Sequence, residues 1–301
     1  MTSERLRIPA GLDWWRCEPG GADWLERLPR LVAACRERWS LGRLTAFEPA
    51  HISLVLAVER LDGTPAVLKV NFPEPESEHE ADALAHWRGE GAVRLLEHDP
   101  DRRALLLERC DPGTQLWAVD DEDEANAIAA AVLRRLWRPP APGHPFRLLA
   151  AEAERWAEEL PRDWEAAGRP FERLLLDEAV SACRELTRGQ PEQVVLHQDF
   201  HGGNVLRAAR ERWLAIDPKP LAGERAFDAA SLLRDRRWLL REPGAARRIR
   251  RRLDLLSAEL GLDRERARRW GIVHALAWGV SGDGKVEADM VECARLLLGA
   301  S

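Results

Sequence analysis

Leu196-His197-Gln198-Asp199-Phe200-His201-Gly202-Gly203-Asn204-Val205-Leu206 is followed, eleven positions after Asn204, by Ala215-Ile216-Asp217-Pro218-Lys219. The apolar run Val194-Val195-Leu196 predicts a strand that delivers Asp199 to a tight turn, with Asn204 five residues later. Trp213-Leu214-Ala215-Ile216 predicts a second short strand that ends at Asp217. Phosphoryl transfer from a metal-bound nucleotide needs one carboxylate to orient and deprotonate the acceptor hydroxyl. It also needs an amide and a second carboxylate to hold the metal. D-x-x-x-x-N followed by a strand-borne Asp is the protein-kinase order of those groups. Two other readings stand beside it. Asp, Gly and Asn are ordinary turn residues, so the stretch could be a plain loop between strands. His197-x-Asp199-x-His201, completed by Asp217 and His274, could also be a metallohydrolase cluster.

An independent test lies upstream. Strand-like runs Ile52–Val58 and Pro65–Val70 are joined at Asp62-Gly63, a hairpin signal. The second run puts Lys69 inside an apolar strand, where an unpaired ammonium is costly. Glu76–Trp87 reads as a helix stopped by Gly89 and Gly91, and Glu80 shares a face with Leu84 and Trp87. Glu80 is therefore the expected partner of Lys69, with Glu76 and Glu78 as rivals. A strand lysine paired with a helix glutamate is what a kinase uses to hold the α- and β-phosphates. The alternative is an edge-strand lysine and a solvated acid. Further strands are expected at Ala92–Leu96 and Ala104–Glu108, separated by the turn His98–Asp101. In a kinase the junction Glu108-Arg109-Cys110 is the hinge, whose main-chain atoms at Glu108 and Cys110 meet an adenine edge, although any strand-to-loop junction reads the same way. No G-x-G-x-x-G precedes Lys69: the corresponding turn, Phe47–Ser53, has no glycine, which argues against a protein substrate.

The remaining sequence is consistent with these elements. Residues 22–38 carry apolar positions at helical spacing. Beyond residue 115 helices are expected near 123–137, 147–160, 171–187, 225–241, 245–260, 263–280 and 285–299. The predicted architecture is α+β and bilobal: a β-rich nucleotide-binding lobe over 1–110, with an extra N-terminal helix, and a helical lobe over 111–301 carrying the catalytic loop and acceptor pocket, with a cleft between. Apolar residues make up 45% of the 301 and charged residues 32%, enough for both a core and a soluble surface. Five scattered cysteines without C-x-x-C spacing suit a reducing cytoplasm and argue against a zinc module. Met1 to Arg7 is polar and lacks the apolar core of a signal peptide, and no apolar run has membrane-spanning length. A net charge of −6 disfavours nucleic acid and favours a cationic substrate. Arg247–Arg252 reads as the solvated face of a helix, and Asp120–Glu124 as acids at a helix N-terminus. Most of the thirteen tryptophans are expected in the core.

The block Leu196–Asn204 with Ile216–Lys219 resembles the aminoglycoside phosphotransferases, and looks closest to the streptomycin 6-phosphotransferase and hydroxyurea phosphotransferase branch. Trp24–Pro29, Val67–Val70, Gly89–Leu96 and Leu105–Arg109 are similar to that branch as well. The resemblance implies a protein-kinase-like fold, with ATP and Mg2+ as cofactors and a small-molecule hydroxyl as acceptor. It implies Asp199 as catalytic base, Asn204 and Asp217 as Mg2+ ligands, and Lys69 with Glu80 on the α- and β-phosphates. His197 and His201 then shape the loop and bind no metal, and Asp228 braces the loop or caps its helix. Gln198 stands where the wider family usually has Gly. Trp270–Glu292, expected to line the acceptor pocket, offers no assignable contact, and the sequence leaves oligomeric state open.

Overall fold

The computed structural model describes residues 6–48, 50–188 and 193–300. The chain start, residues 1–5, and Pro49 of the glycine-free loop lie outside the described residues. Two compact units are present, Met1–Gly113 and Thr114–Ser301.

In the first unit, α1 (Gly21–Arg38) precedes an antiparallel sheet built from β1 (Leu41–Ala46), β2 (Leu54–Arg60) and β3 (Pro65–Val70). The short helix α2 (Glu80–Trp87) follows, then β4 (Leu95–Asp99) and β5 (Ala104–Glu108). The strand order is β1-β2-β3-β5-β4, which places the lysine-bearing strand in the centre. Lys69 is paired with Val55 on one side and Leu105 on the other. The apolar face of α1 (Trp24, Leu25, Leu28, Val32, Cys35) packs with Leu54, Leu56, Leu68, Val70 and Leu106 in one core. The expected helix Glu76–Trp87 is broken: Pro75–Ser77 forms a separate 3-10 turn, and α2 begins at Glu80. The strand expected at Ala92–Leu96 begins at Leu95 instead, and the one expected at Ile52–Val58 runs Leu54–Arg60.

The second unit holds α3 (Glu122–Leu136), β6 (Arg147–Leu148), α4 (Leu149–Ala166) and α5 (Arg173–Leu186). Four short strands follow: β7 (Val194–Leu196), β8 (Val205–Arg207), β9 (Trp213–Ala215) and β10 (Leu221–Gly223). The helices α6 (Arg225–Leu233), α7 (Ala245–Leu260), α8 (Arg264–Gly279) and α9 (Ala288–Leu298) complete it. β10 lies between β6 and β7, and β8 with β9 forms a separate hairpin. The helix expected over 225–241 stops at Leu233: Arg236 has φ +52°, and a 3-10 turn over Arg237–Arg241 follows. The arginine stretch of α7 is only partly a solvated face. Arg252 is 2% exposed, binds Glu122 through Nε and Nη2 at 2.9 and 2.7 Å, and donates Nη1 to the carbonyl of Leu233 at 2.8 Å. It thus caps the C-terminal end of α6. Asp121 caps α3 by accepting the amides of Asp123 and Glu124. Most tryptophans are in the core, but Trp14 and Trp238 are exposed. Among the described residues no helix is long and apolar enough to cross a membrane.

Candidate active site

The loop after β7 is held by its backbone. Asp228, in the first turn of α6, accepts the Gln198 N–H at 2.7 Å through Oδ1. Its Oδ2 accepts the His197 N–H and the Trp137 indole N–H, both at 3.0 Å. Ser231, three residues on, donates to the Gln198 carbonyl, which also meets His274 Nε2 at 3.1 Å. Gln198 sits at φ +68°, the left-handed region that favours glycine, so these contacts hold a backbone conformation that would otherwise relax. Asp228 does brace the loop, as its place near a helix start suggested. Burial pushes its carboxyl up to about 6, against the pull of its donors.

Asp199 emerges from this turn. Its Oδ1 accepts from Arg234 Nη2 at 2.6 Å, and its Oδ2 lies 3.9 Å from Lys219 Nζ. Burial pushes this carboxyl up, but the Arg234 guanidinium and the Lys219 ammonium more than offset it and hold it far below the usual carboxylate range. Asn204 donates its amide N–H to the Asp199 carbonyl at 3.0 Å, which fixes the amide rotamer. The Ile216 N–H donates to the Asn204 carbonyl at 2.9 Å, and the Lys219 N–H to the His197 carbonyl at 3.0 Å. Those two bonds tie the exit of β9 to the loop and bring Asp217, at φ +58°, beside it. Asp199, Asn204 and Asp217 therefore belong to one assembly of the second unit.

The histidines face protein groups. His197 Nε2 is 3.0 Å from the Ile216 carbonyl, and His201 Nδ1 accepts the Gly203 N–H at 3.1 Å. The neutral His201 ring then carries its proton on Nε2, 3.8 Å from Asp199 Oδ1. Burial lowers all three imidazoles, His197 to about 4 and His274 to about 3. Among the described residues no group of three or more His, Cys, Asp or Glu is placed to hold a metal ion, and the His-x-Asp-x-His cluster does not assemble. A second brace comes from Asp235, which accepts the Gly202 N–H at 2.9 Å and the Trp117 indole N–H at 2.6 Å. The Trp117 ring stacks on His201 and lies against the Gly202-Gly203 pair. A Cβ on either glycine would fall within 2.7 Å of that ring.

In the first unit the choice among acids is decided by contact. Lys69 Nζ lies 2.7 Å from both oxygens of Glu80, and both residues are buried. Asn71 donates to Glu80 Oε2 at 2.8 Å and accepts from Ser53 Oγ at 2.7 Å, so four buried polar side chains form one chain. Glu108 is engaged with Arg94: its N–H donates to the Arg94 carbonyl at 2.9 Å, and its Oε2 accepts the Arg94 N–H at 3.0 Å. Cys110 is half-buried, two residues beyond the end of β5. Sequence reasoning missed Asn71, Trp117, Arg234 and Asp235. The period of two along β3 signals Asn71, which shares the Lys69 face.

This architecture is that of the kinase-like small-molecule phosphotransferases. Choline kinase LicA from Streptococcus pneumoniae superposes with a TM-score of 0.58 at 12% identity, over 90% of this chain and 99% of that one. Residues 38–284 match the aminoglycoside/hydroxyurea antibiotic resistance kinase family, and the chain belongs to it. Streptomycin 6-kinase of Streptomyces glaucescens is 42% identical over 285 residues, 93% of this chain and 92% of that protein. Hydroxyurea phosphotransferase of Kitasatospora aureofaciens is 40% identical over 307 residues, 98% of this chain and 86% of that protein.

Proposed function

We propose that this protein transfers the γ-phosphate of ATP to a hydroxyl of an aminoglycoside, with streptomycin as acceptor, and so inactivates the antibiotic in the cytoplasm. The observation that carries the reading is the placement of Asp199 on a doubly braced loop with Asn204 and Asp217, in a chain of this family. The five cysteines are scattered and lack C-x-x-C spacing, which suits a reducing compartment.

Asn204 and Asp217 offer hard oxygen donors, an amide and a carboxylate, which fit Mg2+. The amide N–H of Asn204 is committed to the Asp199 carbonyl, so its oxygen is the atom left to a cation. A bound Mg-nucleotide supplies the γ-phosphoryl group and screens the charge that develops as it leaves. Asp199, kept ionised by Arg234, orients the acceptor hydroxyl and takes its proton as the new O–P bond forms and ADP departs. With so low an affinity for protons it accepts late, which suits a loose transition state in which orientation matters more than basicity. Lys69, fixed by Glu80, holds the α- and β-phosphates. Any adenine contact from Glu108 comes from its carbonyl, because its N–H is spent on Arg94, with the Cys110 main chain as the second contact. The net charge of −6 suits a cationic acceptor.

The test is mass spectrometry and phosphorus NMR of streptomycin after incubation with Mg-ATP. One added phosphate on a streptidine hydroxyl is expected. Mg-ATP binding without change in the drug would instead support a kinase for a metabolite alcohol, or a nucleotide-binding protein without transfer.

A further inference from the structure

The turn between β1 and β2 stands where a kinase has its glycine loop, yet Phe47–Ser53 has no glycine. A segment that precedes α1, and precedes the family match, is fastened to it. Residues Ala10–Cys17 form a 3-10 turn from which Trp15 Nε1 donates to the Ile52 carbonyl at 2.9 Å and Trp14 Nε1 donates to the His51 carbonyl. Gly11 backs onto the next carbonyl along, since a Cβ there would lie 2.3 Å from Ala50 O. The Trp15 ring is anchored in the core, stacked at 3.9 Å on Phe72 and packed edge-on to Trp24, and Trp14 stacks on it at 4.1 Å. On the other side the loop ends at Ser53, whose hydroxyl leads through Asn71 and Glu80 to Lys69.

The direction of these bonds matters. In a trans peptide the C=O and the following N–H point opposite ways. With the carbonyls of His51 and Ile52 turned to the indoles, the N–H groups of Ile52 and Ser53 point away from the N-terminal segment. Consecutive main-chain N–H groups on one side of a loop are what a phosphate binds. Protein kinases let the backbone approach the phosphates by using glycine. Here the backbone is instead held from behind.

We propose that Ala10–Cys17 is a fixed strap that aims the Ile52 and Ser53 amides at the nucleotide phosphates, with Trp14, Trp15 and Ser53 as positioning residues. This rests on the phosphotransferase reading above. The test uses the full chain carrying Trp14→Phe, Trp15→Phe or Ser53→Ala, at a temperature where circular dichroism shows each folded. Affinities for a non-hydrolysable ATP analogue and for adenosine are measured by calorimetry, and KM for Mg-ATP and for streptomycin by turnover. Each Trp→Phe change removes one hydrogen bond and keeps a ring. It should raise Kd for the analogue and KM for Mg-ATP about fivefold, leaving adenosine and streptomycin within about twofold. Trp14 is exposed, so Trp14→Phe carries the test if Trp15→Phe does not fold. Analogue affinity within twofold of the parent in the folded variants, or an equal loss for adenosine, overturns the proposal. The Lys69→Met, Glu80→Leu double variant, which strands no buried charge, separates the two layers: unchanged analogue affinity there would remove the phosphotransferase reading itself, whereas a loss there without one in the Trp variants removes only the strap.

Discussion

Lys69 and Glu80 in the first unit neutralise each other at 2.7 Å in a buried strand-to-helix contact, with Asn71 on the same carboxylate. Asp199 in the second unit is also buried, but its cations come from two separate places, Arg234 beyond α6 and Lys219 beyond β9, while its backbone is pinned by Asp228 and Ser231. The first arrangement is a closed pair whose purpose is to keep one ammonium in place. The second fixes a backbone and keeps a carboxylate ionised, as the proposed base requires. Removing a partner should therefore cost stability in the first unit and rate in the second.

The largest effect should follow Lys69→Met. It strands a buried carboxylate, so thermal unfolding should report a loss of about 3–5 kcal/mol. A Lys69→Met, Glu80→Leu double variant should recover most of that stability and none of the turnover. In the second unit, Arg234→Met should leave nucleotide KM alone and lower kcat about 10- to 100-fold, because Asp199 loses the contact that orients it. An equal fall in melting temperature and no fall in kcat would show that Arg234 is structural only.

Acid sharpens the same contrast. His197 and His274 titrate at about 4 and 3 in the folded chain and near 6.5 unfolded, so below pH 6.5 the unfolded state binds more protons. Stability is then complete above pH 6.5 and is lost as pH falls toward 4, by up to about 1.4 kcal/mol per pH unit for each ring. Asp228, pushed up to about 6, works the other way between about 4 and 6, but is a single group against two. His274→Phe keeps the stack on Trp278 and should flatten that slope in pH-dependent denaturant melts. The smallest change should come from Gln198→Gly. Glycine relieves the left-handed backbone but loosens the unfolded chain, so stability should stay within about 1 kcal/mol of the parent and activity should persist.

Much of this was legible in the sequence where chemistry and periodicity coincide. Lys69 in an apolar strand and Glu80 on an apolar helix face each demanded a partner, and the Asp199, Asn204 and Asp217 spacing is carried by short strands that the apolar runs announce. Arg234 was hidden because the helix expected over 225–241 runs straight through it. Only its stop at Leu233 turns Arg234 toward Asp199 and Asp235 toward Gly202. Arg252 was misread for a different reason. It lies three residues after Ile249 and four before Leu256, on the apolar stripe, but the neighbouring arginines masked that position. The indole bonds of Trp14 and Trp15 join residues 37 apart and leave no local pattern at all.

As proposed above, Asp199 serves the transfer step and not nucleotide binding. The most direct test is streptomycin phosphorylation by Asp199→Asn, with Mg-ATP affinity measured on the same sample. Turnover should fall about 10²- to 10⁴-fold in a protein that circular dichroism shows folded, with nucleotide affinity close to the parent's. Turnover near the parental rate would contradict it.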